Sequence, residues 1–292
     1  MRSTPLSLIA ISLGLISISL VSGPPVLRAA KHESPLLPRP ELLTALGSAY
    51  RQMIADYYWI LTTEATGSAR SAEEYRDVYD YAQLISELDP KFRYIYVFAG
   101  ATIPVNLGRE TWVNTGESTQ ILTKGFALFP KDVFLRILLA YNLSYFNKKY
   151  QQAADLLKET AKMPGAPKYL AVLATRLYGQ AGAIDAGLAL ASQLSQTAVD
   201  PATRQTFERR TQELVLEGEL QKIDKEIEVF RLREGRMPAT ILELVASGQL
   251  REIPKDPLGG SIVVGSDGRS HSSAAEKDRL EVYDPKKALL NL

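Results

Sequence analysis

The sequence predicts an all-α fold: a solenoid of helix pairs, with a hydrophobic helix before it and a small α/β appendage at the C-terminus. Three observations carry the prediction. Helical stretches end repeatedly at a proline after a short run-out, at Asp89-Pro90, Phe129-Pro130, Met163-Pro164 and Asp200-Pro201, and the intervals of 40, 34 and 37 residues suit a two-helix repeat. Between Tyr50 and Tyr178, apolar residues recur at helical rather than alternating spacing, and this region holds 13 of the 14 tyrosines and both tryptophans. Beyond Gly235 the chain turns to proline, glycine and short β-branched runs, which is turn and strand chemistry.

At the N-terminus, Leu6 to Val21 carry no charge and are apolar apart from Ser7, Ser12, Ser17 and Ser19. The stretch falls between the roughly 7–15 apolar residues of a secretory signal and the roughly 17–25 of a membrane span. No good small-residue cleavage site follows it. A cut after Ala30 puts Arg28 at the third position before the cut, a cut after Ala29 puts Leu27 there, and a cut after Gly23 puts Pro24 just beyond. The expectation is an uncleaved membrane anchor over residues 1–22, with a cleaved signal as the alternative. It implies a protein of the bacterial cell envelope, anchored in the inner membrane and facing the periplasm, or exported if the signal is cleaved. Residues 23–40 contain Pro24, Pro25, Pro35, Pro38 and Pro40 and read as an extended linker.

Residues 41–201 carry the helix pairs. Each proline-bounded unit splits near its middle, around Asn106 to Arg109, at Asn147 to Lys149 and at Ala181 to Ala183. In the clearest unit Phe134, Ile137, Leu138, Tyr141 and Tyr145 form one helical stripe, Phe134 to Phe146 is the first helix, and Tyr150 begins the second. Tyr150 at the turn, Ala153 three residues later and a helix ending near Pro164 resemble the tetratricopeptide repeat. The unit with Gln180-Ala181-Gly182 and Ala186 to Ala191 is similar. The aromatic-leucine-glycine opening of that repeat is missing from both units. The resemblance implies that Ala140 and Ala153 are the small residues between paired helices. Stacked pairs leave a concave surface for an extended peptide or a helix, and Tyr141, Ser144 and Tyr145 are the candidate groove residues.

Residues 202–234 form a long amphipathic helix with Leu214, Leu220, Ile223, Ile227 and Phe230 on its apolar side. Asp224 and Glu228 lie four apart, and with Lys222 and Lys225 beside them surface ion pairs are expected. Gly235 stops this helix. Within residues 235–292 a short helix over Ala239 to Ala246 is capped by Gly248. A rigid loop from Pro254 to Gly260 follows, then a strand from Ser261 to Val264 and a turn at Gly265-Ser266-Asp267-Gly268 into a second strand. The pattern Pro254-x-Asp256-Pro257-x-Gly259-Gly260 after a long helix resembles the C-terminal segment of type II secretion pseudopilins. That resemblance implies a local fold and an envelope setting. Residues 1–40 lack the prepilin leader, so a pilin subunit is not expected.

Composition narrows the function. With no cysteine there are no disulfides, thiolate metal sites, cysteine nucleophiles or lipid-modified cysteine. Two histidines, His32 and His271, cannot build a multi-histidine metal site. The chain carries 34 basic and 33 acidic residues, and without residues 1–31 (three basic, none acidic) it has 31 and 33, a net of −2. A broad grip on nucleic acid is excluded on that ground, and membrane contact is expected through the N-terminal segment alone. Asp256 and Asp267 offer too few carboxylates for calcium and read as turn residues. His271 lies in a Ser-rich stretch, yet no strand-turn-helix presents a nucleophile beside it. No phosphate loop, nucleophile elbow, dinucleotide fingerprint or zinc-protease helix is present. The expectation is therefore a non-catalytic protein-binding scaffold or accessory factor of an envelope assembly, needing no metal or cofactor. A subunit polymerising through the pseudopilin-like end and a carboxylate-dependent hydrolase of envelope polymers are the rivals.

Overall fold

Each apolar stripe turns onto the neighbouring helix in the chain. The computed structural model describes residue 32 and residues 34–109, 111–274 and 279–280. Contacts divide the chain into Met1–Pro35 and Leu36–Leu292, and every described helix and strand belongs to the second unit. A short helix α1 (Pro40–Gly47) and a 3₁₀ turn lead into α2 (Arg51–Ser68) and α3 (Ala72–Leu88). Three further pairs follow: α4 (Arg93–Thr102) with α5 (Thr115–Leu128), α6 (Val133–Tyr141) with α7 (Tyr150–Ala161), and α8 (Tyr169–Gln180) with α9 (Ile184–Thr197). The long helix α10 (Pro201–Glu234) packs along α9. The fold is thus all-α, with paired, stacking helices and a small two-stranded β appendage.

The prolines separate the pairs. Pro90, Pro130 and Pro164 lie between one pair and the next, and Pro201 is the first residue of α10, where its missing N–H is not needed. Side chains close several helix starts. Ser71 and Glu74 form a reciprocal capping box on α3, Asp132 accepts from the Leu135 N–H at 3.0 Å, and Asp200 accepts from the Thr203 N–H at 2.7 Å. Gly235 ends α10 at φ 71°, in the left-handed region that glycine enters without strain.

Successive pairs are stapled by contacts about one repeat apart. Arg76 pairs with Glu117 at 2.9 Å, the Tyr79 hydroxyl donates to Gln120 at 2.6 Å, and Lys124 reaches Ser86 at 2.7 Å as well as Glu87, all between α3 and α5. Arg93 on α4 pairs with Asp132 at the start of α6, and that bond holds the Asp132 carboxyl below the usual carboxylate range. Apolar cores run beneath these staples, one from α2 to α6 and a second from α6 to α9. Ala140 and Ala153 are buried in the second, as small residues between paired helices should be. Glycine permits the closest approach: a Cβ on Gly100 would lie 2.5 Å from Leu122, and one on Gly125 would lie 2.6 Å from the Cβ of Tyr96.

A two-stranded ribbon, β1 (Val105–Asn106) and β2 (Trp112–Val113), lies between α4 and α5, and the appendage continues from α10 through α11 (Ile241–Ala246) to the hairpin of β3 (Ile262–Val264) and β4 (Ser270–Ser272). The strands are antiparallel, with Ile262 opposite Ser272 and Val264 opposite Ser270. Asp256 accepts from the Leu258 and Gly260 N–H groups at 2.8 and 3.1 Å, and Asp267 accepts from the Arg269 N–H at 3.1 Å. Both are turn residues, as expected.

The surface ion pairs expected for Asp224 need correction. Lys222 pairs with Glu219 and Glu228 pairs with Arg231, whereas Asp224 turns inward to the β4 side. It accepts from the Ser270 N–H at 2.8 Å, lies 2.7 Å from Ser270 Oγ and pairs with Arg279. Arg279 also grips Glu217 with two bonds, at 2.9 and 3.2 Å, and the two side chains are only 5% and 2% exposed. Leu280 beside it packs on Ala191 and Leu214, so this short segment ties the appendage to the last helix pair. Burial pushes the Asp224 carboxyl up, but its bonds to Ser270 and Arg279 outweigh that and leave it below the usual range. Its contribution to stability is therefore complete above the ordinary carboxylate pKa and is lost as pH falls through the lowered value.

The membrane-anchored, inner-membrane location expected from the N-terminus is also corrected. Among the described residues, no helix is long and apolar enough to cross a membrane, and the segment that suggested an anchor, residues 1–22, lies outside the described residues.

Two outcomes test this packing. Gly125→Ala should lower stability by a net of about 1–2 kcal/mol because overpacking against Tyr96 exceeds the gain in helix propensity, while Gly67→Ala, with nothing within 4 Å of its Cβ, should raise it by up to about 1 kcal/mol. Urea denaturation of both variants reads the opposite signs. Arg279→Met should cost about 3–5 kcal/mol by stranding buried Glu217, and adding Glu217→Gln should recover part of that loss. An equal loss in the single and double variants would contradict the clamp.

Candidate functional site

The regular helical ladder breaks after Tyr141. The Asn147 N–H donates to the carbonyl of Asn142, five residues back, at 3.0 Å, and Asn142–Phe146 form a π-helical turn. The Lys149 N–H closes it on the Leu143 carbonyl at 2.7 Å. The anchor lies on the inner side. Asn142 is buried, its amide donates to Ser118 Oγ at 2.6 Å, and that hydroxyl donates to the Gly100 carbonyl at 2.6 Å. The Asn147 amide donates to Thr119 Oγ1 at 3.0 Å. Two asparagines thus fasten the wide turn to α5.

On the outer side the turn builds an aromatic platform. Tyr141 and Tyr145 stack with ring centroids 5.1 Å apart and 14° between planes. Phe146 meets both edge-on, at 5.6 and 5.2 Å. Trp112 comes from a two-stranded ribbon between α4 and α5, in which β1 (Val105–Asn106) pairs with β2 (Trp112–Val113). Its ring lies 6.1 Å from Tyr145 and 5.2 Å from Phe146, and its buried Nε1 has no hydrogen-bond partner among the described residues. The Lys148 ammonium sits 5.6 Å above the Tyr145 ring. Burial, and then neighbouring Tyr145, raise the Tyr141 hydroxyl above the usual tyrosine range, so it stays a neutral donor.

Left-handed backbone occurs in the two chain segments that supply these rings. Among the described residues, the non-glycine positions with positive φ are Arg109 at 45°, Asn114 at 60° and Lys148 at 55°. Arg109 sits at the tip of the ribbon that carries Trp112, Asn114 follows that ribbon, and Lys148 follows the π turn. Strain of this kind costs of order 1 kcal/mol or more per residue and persists where the surroundings enforce it.

The three candidate groove residues part company here. Tyr141 is 48% exposed and Tyr145 is half-buried beside it. Ser144 is buried, and its hydroxyl lies 2.9 Å from the Ala140 carbonyl and 3.2 Å from that of Tyr141. Tyr145, four residues on, lies over Tyr141, and Ser144, three on, is turned inward. Within the stripe Phe134 and Tyr141 are exposed while Ile137 and Leu138 pack partly buried on the cores, and Leu135, Leu139 and Ala140 are the buried residues of α6. Tyr94, Phe134 and Tyr169 are each about half exposed, and each directly precedes the first buried residue of α4, α6 or α8. Each follows a Pro-Lys pair, at Pro90-Lys91, Pro130-Lys131 and Pro167-Lys168. That pair is the repeat signal that helical periodicity alone does not register.

A cavity of about 530 Å³ adjoins the platform, lined by Lys148, Lys149, Gln151, Gln152, Asp155 and Gln180. The hydroxyl of buried Tyr178 donates to Asp155. No group of three or more histidines, cysteines, aspartates or glutamates able to hold a metal occurs among the described residues. His271 lies 2.9 Å from Asp267, but the neighbouring serine hydroxyls are engaged elsewhere: Ser270 with Asp224, Ser272 with Asp256, and Ser273 as acceptor for the Ser261 N–H.

Asn142→Ala should cost about 1–3 kcal/mol by removing a buried hydrogen bond, and should weaken the near-UV circular dichroism of the aromatic platform while the far-UV signal holds. Unchanged near-UV dichroism would separate the platform from its asparagine anchor. No protein-family model matches this chain and no curated protein matches it, so its function is argued from this geometry alone.

Proposed function

We propose that this protein is a non-catalytic protein-binding scaffold, a tetratricopeptide-like stack of helix pairs that takes a segment of a partner protein on the platform around Tyr141 and Tyr145. The observation that carries the reading is the convergence at one exposed place of stacked tyrosines, a π-helical turn and left-handed Lys148 over the Tyr145 ring. Helical irregularity and backbone strain gather at functional sites because an unstrained surface has no need of them. Tyrosine suits such a contact, giving large area, few rotatable bonds and a polar tip. The tetratricopeptide-like description is supported by Tyr150 at the turn, buried Ala153 and Pro164 beyond α7. Further support comes from the half-exposed aromatic that recurs on α4, α6 and α8.

Affinity capture with the full chain, in parallel with the Tyr141→Ala, Tyr145→Ala double variant, tests the reading. The expected result is one set of partners lost together, with far-UV dichroism unchanged. An identical partner set from the double variant would remove the platform from the binding surface.

A further inference from the structure

We infer that α2 is a self-association surface: a second copy of this chain packs its own α2 on the outer face formed by Tyr50, Met53, Tyr57 and Ile60. The inference does not depend on the protein-binding reading of the platform. α2 opens the series of helix pairs, and its inner face is taken. Ala55 and Thr62 are buried, and Trp59 meets Phe98 of α4 edge-on at 4.9 Å. The outer face has no cover among the described residues. Tyr50, Met53 and Ile60 are each 62% exposed and Tyr57 is 56% exposed. By comparison α10, with 34 residues against 18, exposes Val215, Val229 and Leu232 well apart from one another. A concentrated apolar patch on a folded surface marks a contact.

Spacing and area identify the occupant. The steps from Tyr50 to Met53, Tyr57 and Ile60 are three, four and three residues, the a and d positions of a heptad, along which one helix packs on another. A copy of α2 carries the matching seam. With a two-fold axis across the helix the copies run antiparallel, setting Tyr50 against the partner's Ile60 and Met53 against the partner's Tyr57, each contact made twice. Every layer of that seam is apolar, and the Met53 thioether meets an aromatic ring. At roughly 200 Å² for a large side chain, the four residues offer on the order of 500 Å² per copy and about 1,000 Å² for the pair, the lower bound of a specific interface. The exposed charges of α2 are Asp56 and Glu64, while Arg51 turns back to the Glu87 carbonyl at 3.3 Å. Acidic flanks disfavour an anionic lipid surface as the occupant. Asp56 flanks the seam and comes near its own mate across the axis, a like-charge contact at the solvent edge that limits the affinity.

Sedimentation velocity of the purified full chain across the micromolar range is the test. The expected result is a reversible equilibrium between monomer and dimer. Met53→Glu with Ile60→Glu, both at exposed positions, should weaken the dimer by about tenfold or more with far-UV dichroism unchanged, and Asp56→Asn should strengthen it. Tyr141→Ala with Tyr145→Ala should leave it unchanged, which separates this inference from the platform reading. The chain has no cysteine, so Tyr57→Cys introduces a single thiol, and a short bismaleimide should join two such chains. A chain that stays monomeric throughout, or self-association that the Met53→Glu, Ile60→Glu variant leaves intact, would overturn the inference. Binding to neutral phosphatidylcholine vesicles by a monomeric full chain, lost in that same variant, would assign the face to lipid and overturn it as well.

Discussion

The buried bond from Asn142 to Ser118, continued to the Gly100 carbonyl, joins three helices through polar groups that water cannot reach. Much of the molecule's surface chemistry depends on it. A polar side chain buried among helices must find partners, and Asn142 finds its partner on α5. In the same segment the carbonyl of Asn142 is met from five residues away, by Asn147, whose own side chain is held on Thr119. Tyr145 lies over Tyr141, as residues four apart on a helix do, and left-handed Lys148 precedes α7. Inner anchor and outer rings thus belong to one short stretch of chain.

This irregularity is possible because the remaining helix pairs are regular. Each helix from α2 to α10 buries its apolar side on a chain neighbour, so a local departure disturbs one interface and leaves the next intact. The close approach at Gly100 and Gly125 holds α4 and α5 firmly enough to bear the ribbon that delivers Trp112. At the far end the opposite device operates. Arg279 and Glu217 form a buried ion pair, which adds little net stability against an apolar alternative but would cost several kcal/mol if one partner were removed.

The helix pairs are legible from proline spacing together with helical periodicity, because Pro90, Pro130 and Pro164 follow helix ends and Pro201 opens the next helix. Turns at Asn147 to Lys149 and Ala181 to Ala183 are legible as breaks midway between prolines, and Asp256 and Asp267 are legible because their turn chemistry is local. Contacts that cross the chain were not legible. Asp224 beside Lys222 and Lys225 reads as a surface ion pair, and only the return of residues 270 and 279 to α10 reveals it as a partly buried acceptor. Ser144, read from helical spacing onto the groove side with Tyr141 and Tyr145, lies buried in the π-helical turn. The stripe from Phe134 to Tyr145 is legible as a stripe, but periodicity does not say which of its residues meet the core. Ile137 and Leu138 pack on it partly buried, while Leu135 and Leu139, outside the stripe, are fully part of the core of α2 to α6.

Site-specific photo-crosslinking in intact cells tests the central claim most directly. A benzophenone amino acid placed at Tyr141 or Tyr145 sits on the platform, whereas one at Leu232 or Val263 sits on exposed apolar positions of α10 and β3. The account predicts a protein adduct of the same mass from both platform positions and none of that mass from the other two. Adducts of equal yield at all four positions, or adducts only at Leu232 and Val263, would contradict it.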